Sequence, residues 1–130
     1  MAINLLDYMP FANTLGIEIT TAEKDQIIGT LTVDESICTT GKIMHGGAVM
    51  AFADTLGAVG AFLNLPEGAK ATTTIESKTN FLGPAPMGAT ITGECTPVHV
   101  GRRTSVWQTK IVTAEGKSVA LITQSQMVLN

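Results

Sequence analysis

The segment His45–Leu65, HGGAVMAFADTLGAVGAFLNL, is apolar on almost every side and ends at Asn64 and Pro66. Its length would suit a membrane-crossing helix. Asp54, however, sits in the middle of it, where a charge at the bilayer centre is costly. The expectation is therefore a buried central helix, about 28 Å long at 1.5 Å per residue. Gly57 and Gly60, with Ala48, Ala51, Ala53, Ala58 and Ala61, let other backbones come close to it. A helix that is apolar all round must be covered all round.

The rest of the chain supplies that cover. Ile17–Ala22 and Ile27–Val33 are rich in Ile, Thr and Val, which suit a pleated surface. The polar turn Glu23-Lys24-Asp25-Gln26 separates them. Lys70–Leu82, Thr90–Val100, Arg103–Thr113 and Lys117–Leu129 have the same character. Their punctuation is Gly83-Pro84-Ala85-Pro86, Val100-Gly101-Arg102 and Ala114-Glu115-Gly116, the last a short loop needing Gly at positive φ. Pro97 predicts an edge or a bulge in its strand. Ile3–Leu15 has roughly helical apolar spacing interrupted by Pro10, which predicts a short kinked helix ended by Gly16. Asp34–Met44 has no period and reads as a loop.

The prediction is an α+β domain, residues 1–130, with an antiparallel meander wrapped around one helix. One sheet cannot cover every side of such a helix. Only 15% of residues are charged, which is low for a surface wholly exposed to water. Both observations point to self-association.

Asp54 is the first candidate for chemistry. Its neighbours three and four positions away are Met50, Ala51, Gly57 and Ala58, and none can pair with a carboxylate. It must either bond a backbone group or a serine at an interface, or line a cleft. His45-Gly46-Gly47 is the second candidate. At a helix start the first backbone N–H groups lack helical partners and favour an oxygen that gains negative charge. Glycine lets a ligand touch the backbone there. The plainer reading is a glycine-rich turn capped by His45. Asp54 lies about 13 Å along the axis from His45, too far for one reaction centre. If both act together, two antiparallel helices from two copies must meet and form two equivalent sites.

Several classes are disfavoured. The net charge of −3 offers no basic excess for nucleic acid. Cys38 and Cys95 make no disulfide framework, and MAINLLDYMP lacks the features of a secretory signal. The cytoplasm with reduced thiols is the expected location, without a membrane partner. Cys95-x-x-x-His99 is too small a set for zinc, so no metal is expected. Cys38 beside His45 lacks a third, orienting group.

HGGAVMAFADTLG resembles the central helix of hotdog-fold acyl-CoA thioesterases of the phenylacetic-acid-degradation type. TIESKTNFLGPAPMG resembles the strand and turn that follow it, and VGRRTSVWQTKI with AEGKSVALITQSQMVL the last two strands. The resemblance runs from about Gly16 onward. It implies a hotdog fold and hydrolysis of an acyl-coenzyme A thioester at a site shared by two subunits of a dimer or tetramer. No cofactor is implied beyond the coenzyme A of the substrate. Asp54 would act as general base or nucleophile, and the Gly46 N–H would polarise the carbonyl with support from His45. Thr74 would position the water or the carboxylate. Gly47 and Asn80 fall among the implied substrate-binding residues. Thr39 stands where the family often has Asn or Gln. Gly101, Arg102 and Arg103 would lie near the coenzyme phosphates, although a solvated hairpin tip reads equally well. Two other activities remain open: a hydratase or dehydratase on the same fold, and a non-catalytic acyl-CoA sensor.

Overall fold

The computed structural model describes Asn4 and residues 7–130. In chain order the elements are α1 (Pro10–Leu15), β1 (Glu18–Glu23), β2 (Gln26–Thr32), β3 (Cys38–Thr39), β4 (Ile43–Met44), α2 (Gly46–Leu63), β5 (Ala71–Phe81), β6 (Thr90–Val100), β7 (Thr104–Thr113) and β8 (Ser118–Leu129).

Helix α2 begins and ends where polar side chains can take its terminal backbone groups. His45 is the N-cap, and its Nδ1 accepts the Gly47 N–H at 2.8 Å. Asn64 is the C-cap. Its Nδ2 donates to the Gly60 carbonyl and, across to the β1–β2 turn, to the Lys24 carbonyl, both at 2.8 Å. The helix is long and apolar enough to cross a membrane by length and composition, but half of it is buried inside this fold.

A six-stranded antiparallel sheet wraps the helix in the order β1-β2-β6-β7-β8-β5. The meander β6-β7-β8 is as expected, but β5 does not join it at β6. It pairs with β8 and forms the far edge. The segment after β5 explains this. It is not a hairpin turn; it runs beneath the start of α2, where Met44 N–H donates to the Ala85 carbonyl and Met87 N–H to the Lys42 carbonyl, at 2.8 and 2.9 Å. The chain thus passes under the helix before re-entering the sheet at β6.

Glycines set the closeness of helix to sheet, from both sides. Gly29 on β2 and Gly93 on β6 face each other in register. Their missing side chains leave a notch for the fully buried Phe52 and Leu56. On the other flank the helix supplies the gap: the Trp107 ring lies over Gly60 and the Gln124 carboxamide over Gly57. The buried Trp107 indole N–H is satisfied by Ser105 Oγ at 2.8 Å.

Four local expectations need adjustment or hold in detail. Ile3, Leu5 and Leu6 lie outside the described residues. Pro10 does not kink a helix; it is the first residue of α1, where a missing N–H costs nothing. Gly16 ends α1 in the left-handed region at φ 80°. The expected loop Asp34–Met44 contains the short β3–β4 ladder, too brief to show a period. Pro97 lies where β6 has outrun β2, beside a register shift between Pro97 and His99. A second irregularity falls in β5 between Thr74 and Glu76 and leaves Ile75 unpaired.

One stripe of α2 stays outside the wrapping. Gly47, Met50 and Phe62 are exposed, and Ala51, Asp54 and Ala58 between them are half-buried. Their spacing of three and four residues makes a single face.

Candidate active site

Asp54 lies on that uncovered stripe, beside β5 and β8. Its Oδ1 accepts two hydrogen bonds: from Thr74 Oγ1 at 2.6 Å and from Gln124 Nε2 at 3.0 Å. Oδ2 has no protein donor among the described residues. Thr74 in turn accepts from Gln126 Nε2 at 2.5 Å, and Gln126 Oε1 accepts from Thr72 Oγ1 at 2.9 Å. The alternation of β5 puts Thr72 and Thr74 on its inner side, and that of β8 does the same for Gln124 and Gln126. Among the described residues the carboxylate is thus neither in an ion pair nor tied to a backbone. It is gripped by one oxygen and open at the other.

The second group lies two turns back, at the helix start. The His45 N–H is held by the Ile37 carbonyl at 2.8 Å. Because Nδ1 accepts the Gly47 N–H, a neutral His45 ring carries its hydrogen on Nε2. The Gly46 N–H has no acceptor among the described residues. A hollow of about 470 Å³ opens beside it, lined by Thr39, Gly46, Val49 and Phe81 among others. A Cβ on Gly46 would stand 3.2 Å from the Phe81 ring.

The structure therefore gathers the predicted residues into two groups. Asp54 and Thr74 form one; His45, Gly46, Gly47 and Thr39 form the other. Eight residues of helix separate Asp54 from Gly46, or about 12 Å along the axis. Asn80 is exposed on β5 next to Phe81. Gly101, Arg102 and Arg103 sit at the β6–β7 turn, at the end of the sheet away from His45. Arg102 and Arg103 are exposed, and the Arg103 carbonyl binds the Val128 N–H at 2.8 Å. The Gly101 N–H is already given to the Thr104 carbonyl at 2.8 Å, and the Gly47 N–H to His45.

Gln124, Gln126 and Phe81 were not anticipated. The first two had a signal: they follow Ala120 and Ile122 at two-residue spacing, so both fall on the buried face of a strand. Polar side chains in that phase need partners inside the fold. The rival constellations do not assemble. No three of His, Cys, Asp and Glu converge among the described residues. Cys95 is fully buried, and burial pushes its thiol up to about 11.

Comparison with known proteins agrees with this fold. The sequence model of the thioesterase superfamily matches residues 41–120. The crystal structure of a Haemophilus influenzae thioesterase superposes with a TM-score of 0.88 at 32% identity, covering 98% of this chain and 87% of that one. The PaaI protein of the Escherichia coli phenylacetic acid degradation operon gives a TM-score of 0.88 at 25% identity, over 97% of this chain and 88% of its own. The 1,4-dihydroxy-2-naphthoyl-CoA hydrolase of Escherichia coli is 28% identical over 116 residues, which are 89% of this chain and 84% of that protein. With its sheet curled around one helix and an acidic residue two turns beyond a free helix-start amide, the chain belongs to the thioesterase superfamily and has the hotdog fold.

Proposed function

We propose that this thioesterase hydrolyses acyl-coenzyme A at two equivalent sites, each combining Asp54 of one subunit with the helix start of a second copy. The observation that carries the reading is the Asp54 carboxylate, half-buried on the uncovered stripe of α2 with one oxygen free. A second antiparallel α2 laid on that stripe would set the Gly46 N–H of one copy against Asp54 of the other. The β5 edge, unpaired on its outer side among the described residues, and the exposed Ile75 and Leu82 support such an association.

The chemistry then follows from the groups available. Asp54 Oδ2 takes a proton from water, and the hydroxide oxygen attacks the thioester carbonyl carbon. Negative charge moves to the carbonyl oxygen, where the Gly46 N–H and the helix dipole stabilise it. The intermediate collapses with cleavage of the C–S bond. The coenzyme leaves as thiolate and the acyl group as the acid, which ionises to solvent; the proton held by Asp54 passes to the thiolate or to water and restores the carboxylate, so a strong general acid is unnecessary. Beginning one turn beyond Asp54, an apolar hollow of about 530 Å³ is lined by Ala58, Val59, Phe62 and Tyr8 among others. It suits an apolar acyl group, aromatic or medium-chain. Arg102 and Arg103 offer charge for the coenzyme phosphates. The two free thiols suit a reducing cytoplasm.

The test is thiol release from a panel of acyl-CoAs by the wild type, Asp54→Asn and Asp54→Ala. Wild type should release thiol, and kcat should fall by about 10²–10⁴-fold in both variants. Mixing Asp54→Ala with Gly46→Pro, which lacks the N–H, should restore sites in mixed dimers. Acyl-CoA binding without thiol release from any member of the panel would refute the hydrolytic reading. Full activity in a species that sedimentation shows to be monomeric would refute the shared site.

A further inference from the structure

We propose that Gln124, seated on Gly57, is a positioning residue that fixes the Asp54 carboxylate for reaction; this rests on Asp54 being the reacting group. The inner face of β8 carries Ala120 and Ile122 and then two carboxamides. Gln124 is 1% exposed and Gln126 is fully buried. Packing alone asks only for apolar volume at these positions, and a buried amide is costly unless its polar atoms are satisfied.

The destination of those atoms is informative. Gln126 accepts the Thr72 hydroxyl and gives its N–H to Thr74 Oγ1. A threonine hydroxyl has one hydrogen, so Thr74 uses it on Asp54 Oδ1. The relay thus has one direction, from Thr72 through Gln126 and Thr74 to the carboxylate. Gln124 Nε2 brings a second donor to the same Oδ1. Two donors on one oxygen stop the carboxylate from rotating and leave Oδ2 turned to the reactant side.

Gln124 delivers its N–H at a visible cost. Its Oε1 is buried and has no partner among the described residues. The carboxamide lies so close to α2 that a Cβ at position 57 would overlap it, coming within 2.6 Å of Nε2. A glycine in a helix interior is itself unfavourable. Two local penalties, an orphan carbonyl oxygen and a helical glycine, are explained together by the need to place one donor at Asp54.

The test is Gln124→Met, which keeps length and burial but has no N–H. On an acyl-CoA that the wild type hydrolyses, kcat should fall about 10–100-fold, the loss expected for a hydrogen bond to a charged group. KM and the thermal midpoint should stay near those of the wild type. A purely structural role would instead lower the midpoint and leave kcat per folded molecule unchanged, and that result would overturn the proposal. A second readout needs no substrate and no Gln124 variant. The Gln124 side-chain amide resonances in ¹H–¹⁵N spectra should shift in Asp54→Ala while distant backbone amides stay in place. Resonances indifferent to Asp54→Ala would overturn the placement. A chain that hydrolyses none of the panel, yet shows the shift, would refute the hydrolytic reading and leave this geometry standing.

Discussion

Replacing Gly93 by alanine tests the notch that seats α2 on the sheet. The added methyl carbon would stand 2.6 Å from Leu56 Cδ1 and 3.2 Å from the Phe52 ring. Neither neighbour has room to withdraw. Both side chains are fully buried, and Leu56 Cδ2 already stands 2.8 Å from where a Cβ on the opposed Gly29 would lie. Overpacking of this kind costs about 1–3 kcal/mol, and the closure on both sides argues for the upper half. At about 2.1 cal/mol/K per residue, the 130-residue chain unfolds with an entropy of about 0.27 kcal/mol/K. A cost of about 2–3 kcal/mol is then a loss of about 7–11 °C in Tm. Leu56→Ala alone should cost about 2–5 kcal/mol through the cavity it leaves. In the double variant the new methyl partly fills that cavity, so the two costs should not add; the shortfall should exceed about 0.5 kcal/mol. Thermal and urea unfolding followed by far-UV circular dichroism would measure all three. A Gly93→Ala protein with an unchanged Tm, or strict additivity, would refute the notch.

Two further predictions concern charge and pH. Arg102→Ala combined with Arg103→Ala should raise KM for acyl-CoA and weaken its salt dependence while leaving kcat for a short pantetheine thioester unchanged; steady-state kinetics at two ionic strengths would check this, and unchanged KM would assign the pair to a solvated turn. Burial holds the Cys95 thiol neutral up to about 11, above its ordinary 9.0, so the unfolded chain loses this proton first. The associated stability is complete below about pH 9 and is lost as pH rises through about 11. Urea midpoints at pH 8 and pH 10.5 should therefore differ more in the wild type than in Cys95→Val, and parallel pH trends would contradict the assignment.

The sequence announced the helix well because its ends are chemically marked. His45 and Asn64 are the polar residues that flank the apolar run, and they are the caps. The strand positions were equally legible from their Thr, Val and Ile content. The place of β5 was not, because alternation tells which residues face inward but not which strand lies alongside. That choice is made by the passage of residues 82–89 under α2. Asp54 could be singled out as a charge without local partners. Its partners could not, because the relay depends on β5 and β8 lying side by side in one register. Gln124 and Gln126 were nevertheless visible as polar residues in an apolar phase. His45 and Asp54 were placed two and a half turns apart by helix geometry alone.

The unpaired Ile75 has a consequence for what the middle of β5 can tolerate. Before it, Thr72 and Thr74 occupy inward positions; after it, Ser77 and Thr79 do. With all its residues kept but no bulge, the strand would run in the inverted phase, and Glu76 and Lys78 would turn toward the helix in place of the two hydroxyls. The bulge lets Ile75 and Glu76 share one outward position, so this point carries one residue beyond regular pairing. Deleting the Ile75 codon would remove the bulge yet keep Thr74, Ser77 and Thr79 on the inner face, whereas straightening the strand with every residue kept would bring two charges under the helix.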